Sequence, residues 1–462
     1  MAEIARQHYL FVTYPIQSHI NPTLHLAKHL ASSTSAAVTF STAVYADRRM
    51  VSSFPNADQE FNNGLITYLP YSDGNDEGLK RDNMDLKEHI SDFRKNGQRN
   101  VSTIVGDLAA AGRPVTCIVY TLLLNWVPDV AGEHGIPSVL YWIQPATVFA
   151  IYYHFFHGFE SIVRSHEPSS TVYFPELQPL QIRDLPSYVN VPVNDTASFN
   201  ATILNSFREL FEILDREQET RVKPRVLMYT FEGWETEALA SVTDIEIIPV
   251  GQWPNNTGYL FKEDEKKYME WLDTKEEGSV VYISFGSLSV MKKEQKEEMV
   301  RGLKESKRPF LWVVRKDNRE EGEGVLDLEE GEDGMVVEWC DQVRVLAHSA
   351  VGCFVTHCGW NSTLESLVCG VPMVAVPQWS DQCTNAKLVD SLWGCGVRSE
   401  VDGEGVLQGE ELVRCLELVM GEGEKGLEIR NKAKTWREKA LEAVAEGGSC
   451  DVNLKAFVDK FL

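Results

Sequence analysis

The sequence predicts an α/β architecture of two domains, each a parallel sheet covered by helices on both faces. Two observations carry this. Apolar runs of strand length alternate with helical patterns in both halves of the chain, as expected for parallel strands buried on both faces. At 462 residues the chain also exceeds what one hydrophobic core usually supports. Together they give two Rossmann-like domains facing a cleft.

In the first half the strand-like runs are Tyr9 to Tyr14, Val115 to Tyr120, Pro137 to Trp142 and Arg225 to Phe231. Asn21 followed by Pro22 reads as an N-cap and first helical residue. That leaves His19 on the loop at a strand's carboxyl end, where ligands bind in such sheets. An imidazole there suits a general base acting on a hydroxyl, or a loop histidine used only for hydrogen bonding. His8, His25, His29 and His89 lack this context and read as surface or helix-face residues.

Periodicity breaks over residues 248–259, where Pro249, Pro254, Asn255, Asn256 and Gly258 cluster, so the chain divides there. Residues 1–247 form the first domain and 260–448 the second. The second carries the runs Ser279 to Phe285, Phe310 to Val314, Met335 to Val337, Val351 to Val355 and Val371 to Val376. Its acidic, glycine-rich stretch from Asp317 to Gly334 reads as a solvated loop. Over residues 449–462 Val452, Leu454, Phe457, Val458 and Leu462 recur at helical spacing.

The window from Trp339 to Gln382 is the most informative. A buried-looking strand there runs into Thr356, His357, Cys358, Gly359, Trp360 and Asn361, and then into Ser362-Thr363-Leu364-Glu365, which has the form of a capping box. A helix starting near Ser362 would aim unpaired N–H groups and a positive dipole end at a diphosphate. Trp339 offers a flat ring, Gln342 and Glu365 can bond ribose hydroxyls, and Asp381-Gln382 follows the next strand.

This window resembles the signature box of plant UDP-dependent glycosyltransferases from its opening Trp to its closing Asp-Gln. Residues 14–22 are similar to the family's acceptor and catalytic loop, and Ser284-Phe285-Gly286-Ser287 to its phosphate loop. The runs Val119 to Leu124 and Trp142 to Thr147 resemble the branch holding anthocyanin 5-O-glucosyltransferases and crocetin or aromatic-acid glucosyltransferases.

The resemblance implies the GT-B fold, with the last helix crossing back onto the first domain. It implies an inverting transfer of glucose from UDP-glucose, which is a donor substrate and not a cofactor, to a hydroxyl or carboxyl group of a small metabolite. His19 would be the base. Trp339 would stack on uracil, Cys340 would give it backbone contacts, and Gln342 and Glu365 would hold ribose. His357, Asn361, Ser362 and Ser287 would contact phosphates, while Trp360, Asp381 and Gln382 would read the sugar. His19, Thr121 and Gln144 would face the acceptor.

Two positions depart from the family pattern. Ser18 replaces a glycine, and Thr121 stands where most relatives have an aspartate that orients the histidine. Asp129 is no substitute: over eight helical residues it lies roughly 12 Å further along. Because the missing carboxylate weakens the base, a catalytically weak UDP-sugar-binding protein is the alternative reading. A nicotinamide dehydrogenase is excluded, since Gln17-Ser18-His19 occupies the place of the glycine fingerprint. The aromatic stretch Tyr141, Trp142, Ile151, Tyr152 and Phe155 is a candidate acceptor wall, although such stripes more often form core.

Composition bounds the rest. Charges of 44 and 68 leave a net −24, which repels nucleic acid. No leader-like pattern and no apolar span of membrane length is visible, so the expected compartment is the cytoplasm. Nine scattered cysteines form no disulfide framework, and Cys353, Cys358 and His357 lack a second ligand pair for zinc, so no metal is expected. The expected state is a monomer.

Overall fold

The computed structural model describes residues 7–50, 59–78, 86–192, 194–195, 198–219, 223–253, 267–287, 289–315 and 333–460. The chain forms β1 (His8–Val12), β2 (Ala37–Ser41), β3 (Phe61–Asn62), β4 (Thr67–Tyr68), β5 (Cys117–Thr121) and β6 (Ser138–Trp142). A small antiparallel pair, β7 (Thr171–Val172) and β8 (Leu180–Gln181), precedes β9 (Arg225–Met228) and β10 (Glu246–Pro249). The first sheet has the order β10-β9-β6-β5-β1-β2-β4-β3 and is parallel except at its β3 edge.

The second sheet comprises β11 (Val280–Ser284), β12 (Phe310–Val313), β13 (Gly334–Val337), β14 (Val351–Thr356), β15 (Met373–Ala375) and β16 (Gly396–Arg398). Its order is β13-β12-β11-β14-β15-β16, wholly parallel. Every residue of β1, β5 and β11 is buried, because helices cover both faces and leave no polar side. Strand order reverses beside β1, between β5 and β2, and again beside β11, between β12 and β14. Ligands bind at such switch points, outside the strands' carboxyl ends.

Each of the nine strand-like runs of the sequence carries a strand. Ile248 and Pro249, read as the start of the linker, instead close β10. A proline is tolerated there because β10 is an edge strand. Residues 254–266 and 316–332, with most of the expected linker and acidic loop, lie outside the described residues. His8 is no surface residue: it is 5% exposed in β1, and its ring nitrogens bond Arg113 O and Thr39 Oγ1. Tyr141, Trp142, Ile151, Tyr152 and Phe155 are each at most 1% exposed. They belong to the core, with the Trp142 ring packed edge-on against Phe149 at 5.0 Å, and form no acceptor wall.

Several contacts bind the two sheets' layers together. The helix Ser449–Asp459 returns to the first sheet, where Asn453 Nδ2 donates to Pro249 O at 3.0 Å and Phe457 packs on Tyr9. Trp393 Nε1 donates to Trp234 O at 3.1 Å. Arg398 on β16 pairs with Asp184 at 2.6 Å, and Asp184 is 3% exposed. Removing one partner of a buried pair strands the other charge. Arg398→Ala is therefore expected to lower unfolding stability by about 3 kcal/mol, read as a reduced urea midpoint, and adding Asp184→Asn should restore part of the loss.

Candidate active site

On leaving β1 the chain enters the helix Gln17–Ser33, whose N-cap, Ile16, supplies no side-chain bond. Asn21-Pro22 does not start this helix. His19 lies in the first turn, its N–H bonded to Ile16 O at 2.9 Å, and Pro22 lies inside the helix. Proline has no N–H to give the carbonyl four residues back. The Ser18 carbonyl so released is taken across the cleft by Asn361 Nδ2, at 3.0 Å.

His19 Nδ1 lies 3.1 Å from Thr121 Oγ1, at the end of the neighbouring β5. The same oxygen accepts the Tyr14 N–H at 3.1 Å. Burial holds the imidazole far below its ordinary pKa, at about 3, so it is neutral across the physiological range. Asp129 is turned elsewhere, 3.8 Å from Arg94.

The opposite wall begins at β11 and β14. After β14 the chain passes through His357 and Cys358, the latter at φ 58°, into the helix Trp360–Cys369. This helix starts two residues before Ser362, on Gly359, and has no side-chain cap. The expected capping box does not form, because Glu365 turns instead to accept from Gln342 Nε2 at 2.7 Å. First-turn N–H groups stay open as a consequence. Gly286 (φ 73°) and Gly359 flank His357 so closely that a Cβ on either would sit 2.7 or 2.6 Å from Nε2. Burial, and then Arg315, hold His357 at about 4, so it too is neutral.

A chain of hydrogen bonds fixes the neighbouring polar groups. Tyr282 OH donates to Gln342 Oε1 at 3.1 Å, and Gln342 Nε2 also reaches Ser362 Oγ at 3.0 Å. Burial raises Glu365 to about 7 despite the Gln342 bond. Gln382 Oε1 accepts the N–H groups of Gln378 and Trp379 at 2.8 and 3.1 Å, which leaves its amide NH₂ for a ligand. Asp381, also raised by burial, to about 6, accepts from Asn385 at 2.7 Å. Both switch points open onto one cavity of about 500 Å³.

Comparison with known proteins agrees with this geometry. The family model described as "UDP-glucoronosyl and UDP-glucosyl transferase" matches residues 259–424. The chain is 43% identical to a chloroplastic crocetin glucosyltransferase of Gardenia jasminoides, over 99% of this chain and 98% of that one. It is 44% identical to a phloretin 4'-O-glucosyltransferase of Malus domestica, with coverage of 99% and 98%. The crystal structure of Os79 from O. sativa in complex with UDP superposes with a TM-score of 0.82 at 31% identity, covering 99% of this chain and 100% of that one. The chain belongs to the UDP-glycosyltransferases.

The fold of this glycosyltransferase is accordingly GT-B. Of the residues singled out in the sequence, His19, Gln144, Ser287, Trp339, Cys340, Gln342, His357, Trp360, Asn361, Ser362, Glu365, Asp381 and Gln382 line the cavity. Thr121 does not: it is fully buried behind His19 and touches no ligand space. Trp360 commits its ring N–H to Tyr229 O at 2.7 Å.

Other lining residues were not anticipated. Arg315, after β12, donates to Gly286 O and, at 3.2 Å, to Ser289 O, and so braces the loop beside His357. Tyr188, Phe199, Ile203 and Phe207 form an apolar wall. Leu123 and Ser380 line the cavity with φ of 68° and 62°, backbone strain of the kind kept at functional sites.

Gly286→Ala would both strain a left-handed residue and drive a methyl into His357. UDP affinity measured by calorimetry is expected to fall at least about tenfold, roughly 1.4 kcal/mol, with the fold retained.

Proposed function

We propose that the enzyme transfers glucose from UDP-glucose to a phenol or carboxyl group of a small plant metabolite, with inversion at the anomeric carbon. The observation that carries this reading is the meeting of two switch points in one cavity, with His19 on one wall and an uncapped helix start beside His357 on the other. The acceptor oxygen attacks the anomeric carbon in line, the bond from that carbon to the β-phosphate oxygen breaks, and any acceptor proton passes to His19. UDP leaves toward the N–H groups of the Trp360–Cys369 helix, His357, Ser287 and Arg315, whose fixed dipoles and charge stabilise it without a metal. Asn361 and Ser362 add phosphate contacts, Trp339 and Cys340 take uracil, Gln342 and Glu365 take ribose, and Trp360, Asp381 and Gln382 take the sugar.

The acceptor class follows the relatives, which are named for crocetin, phloretin and, at 40% identity, an anthocyanidin 3-O-glucoside. The apolar wall of Tyr188, Phe199, Ile203 and Phe207 suits a conjugated ring or chain, with Gln144 contacting its polar end. We assign the chain through β10 to the acceptor domain, residues 260–448 to the donor domain and the last helix to a strap between them. The nine free cysteines support the cytoplasm as compartment, and a monomer suffices for the site. Among the described residues no helix is long and apolar enough to cross a membrane.

The test is purified protein with UDP-glucose and a panel of phenols and carboxylic acids, followed by UDP release and product mass. UDP-glucose binding without any product would favour the alternative, a catalytically weak binding protein. In competition, UDP-glucose should outrun UDP-galactose and UDP-glucuronate, and equal efficiency with either would contradict the role given to Gln382. His19→Ala should cut transfer to hydroxyl acceptors about a hundredfold to ten-thousandfold while leaving UDP binding nearly intact.

Glu365 gives a pH dependence. Ribose hydroxyls donate to its carboxylate, so binding favours the ionised form of a group that titrates at about 7 when empty. UDP affinity should therefore rise as pH increases from 6 to 8 with proton release, and Glu365→Gln should remove that slope in calorimetry. On folding the sign is opposite: a carboxyl raised above its unfolded value stabilises the protein below the unfolded value, and that stability is lost as pH rises toward 7.

A further inference from the structure

We propose that Thr121 is a positioning residue that holds neutral His19 as its Nε2–H tautomer, so that the histidine meets its acceptor as a hydrogen-bond donor and the site favours acceptors that arrive as anions, carboxylates above all.

The argument is a count of protons and lone pairs at one buried oxygen. Thr121 Oγ1 is fully buried, and one of its lone pairs is taken by the Tyr14 N–H at 3.1 Å. Among the described residues, its hydroxyl hydrogen has one acceptor in reach, His19 Nδ1 at 3.1 Å. If Nδ1 carried a proton, the oxygen would accept two N–H bonds and its own hydrogen would be buried without a partner. Buried polar groups avoid that arrangement. With the hydroxyl donating, Nδ1 is an acceptor, the imidazole proton sits on Nε2, and every group is satisfied.

A carboxylate in Thr121's place would do the reverse. It can only accept, so it would fix Nδ1–H and turn the Nε2 lone pair to the cleft, the arrangement a general base needs. Thr121 thus changes the polarity of the atom the acceptor meets. Burial reinforces the choice by keeping His19 neutral. The helix that carries it adds to the donor side: Gln17–Ser33 has no side-chain cap and no acidic residue in its first turn, so its positive end also favours an anion.

For a carboxylate acceptor the step then balances without any proton transfer. A carboxylate lone pair forms the new bond to the anomeric carbon, the bond to the β-phosphate oxygen breaks, and its electron pair leaves with UDP. His19 Nε2–H orients the attacking group. An alcohol must instead lose a proton to a nitrogen that already holds one, which requires tautomer exchange first.

This inference rests on the glucosyltransferase reading, and the experiment separates the two. Protein with ¹⁵N-labelled histidine gives long-range ¹H–¹⁵N spectra in which the two neutral tautomers differ, and His19→Gln identifies the His19 signals among those of 11 histidines. The wild type should show protonated Nε2 and Thr121→Asp protonated Nδ1. In parallel, kcat and KM are measured with UDP-glucose for a carboxylic acid and an aliphatic alcohol of similar size. Thr121→Asp should raise kcat/KM for the alcohol at least tenfold and lower it for the acid at least tenfold. Thr121→Val, nearly isosteric, keeps the test alive if the aspartate variant misfolds: its acid-to-alcohol ratio should fall at least threefold, mainly through kcat.

A wild-type His19 protonated on Nδ1 would overturn the proposal, as would an acid-to-alcohol ratio unchanged in the Thr121 variants. Absence of turnover on every acceptor would instead sink the glucosyltransferase reading, while the spectra would still decide the tautomer.

Discussion

The active centre depends on two sheets presenting their carboxyl ends to each other, and a few bonds across the cleft hold them there. Pro22 leaves the Ser18 carbonyl, in the residue next to His19, without its helical partner, and Asn361 supplies the missing donor from the first turn of the opposite helix. Trp360, next to it, donates to the Tyr229 carbonyl. A gap in one helix's ladder is thus closed by the other domain, and the two uncapped helix starts are brought into register. Further out, Ser380 N–H donates to Ser187 Oγ at 2.7 Å and Thr384 Oγ1 to Asp184 O at 2.8 Å. These bonds tie the loop ahead of Asp381-Gln382, and the helix that follows it, to residues 184–187 of the first domain.

Burial sets the electrostatics of the cleft. It keeps His19 and His357 neutral and shifts Glu365 and Asp381 toward neutrality. A chain with net charge −24 repels a nucleotide diphosphate at long range, so any attraction has to come from groups inside the cavity. What the cavity offers an anion is the uncapped start of the Trp360–Cys369 helix and Arg315. Directed dipoles in a water-poor pocket are worth more than the same groups in solvent. The glycines around His357 have a related purpose: without a Cβ at Gly286 or Gly359, loop and helix start close around the ring.

Much of this was legible because continuous apolar runs report parallel strands directly. What the runs missed was short or mixed: β16 has only three residues, and β2 reads Ala-Val-Thr-Phe-Ser, where Thr39 Oγ1 is bonded to His8 Nε2. Helix starts were read less well. Asn21-Pro22 has the local form of a start, yet the true start at Gln17 is possible only because a residue 343 positions away completes the bonding, and no local pattern reveals that. Ser362 to Glu365 likewise has the form of a box, but Glu365 finds a stronger use on Gln342. The residues that line the second domain's side of the cavity were legible because most of them fall in one contiguous window. Phe199, Ile203 and Phe207 also repeat at a helical spacing, but that spacing is shared by ordinary core, and here Phe207 is 3% exposed while Phe199 is 49% exposed.

The same distinction separates what the fold settles from what single residues settle. The second domain's wall of the cavity is built from strand ends and helix starts, whose geometry follows from sheet topology. The first domain's apolar wall is built from a turn, one helix face and the backbone of Leu123 held at φ 68°, so small changes there alter shape without disturbing the fold. Behind His19, outside the cavity, lies one oxygen, Thr121 Oγ1, bonded to Tyr14 and His19 at once. Replacing an acceptor-only carboxylate by a hydroxyl adds a hydrogen in a place with no solvent, and that hydrogen must be used. Among the described residues only the imidazole can take it. In a dry site the identity of a buried partner therefore decides which way a catalytic group faces electronically, even when its position is unchanged.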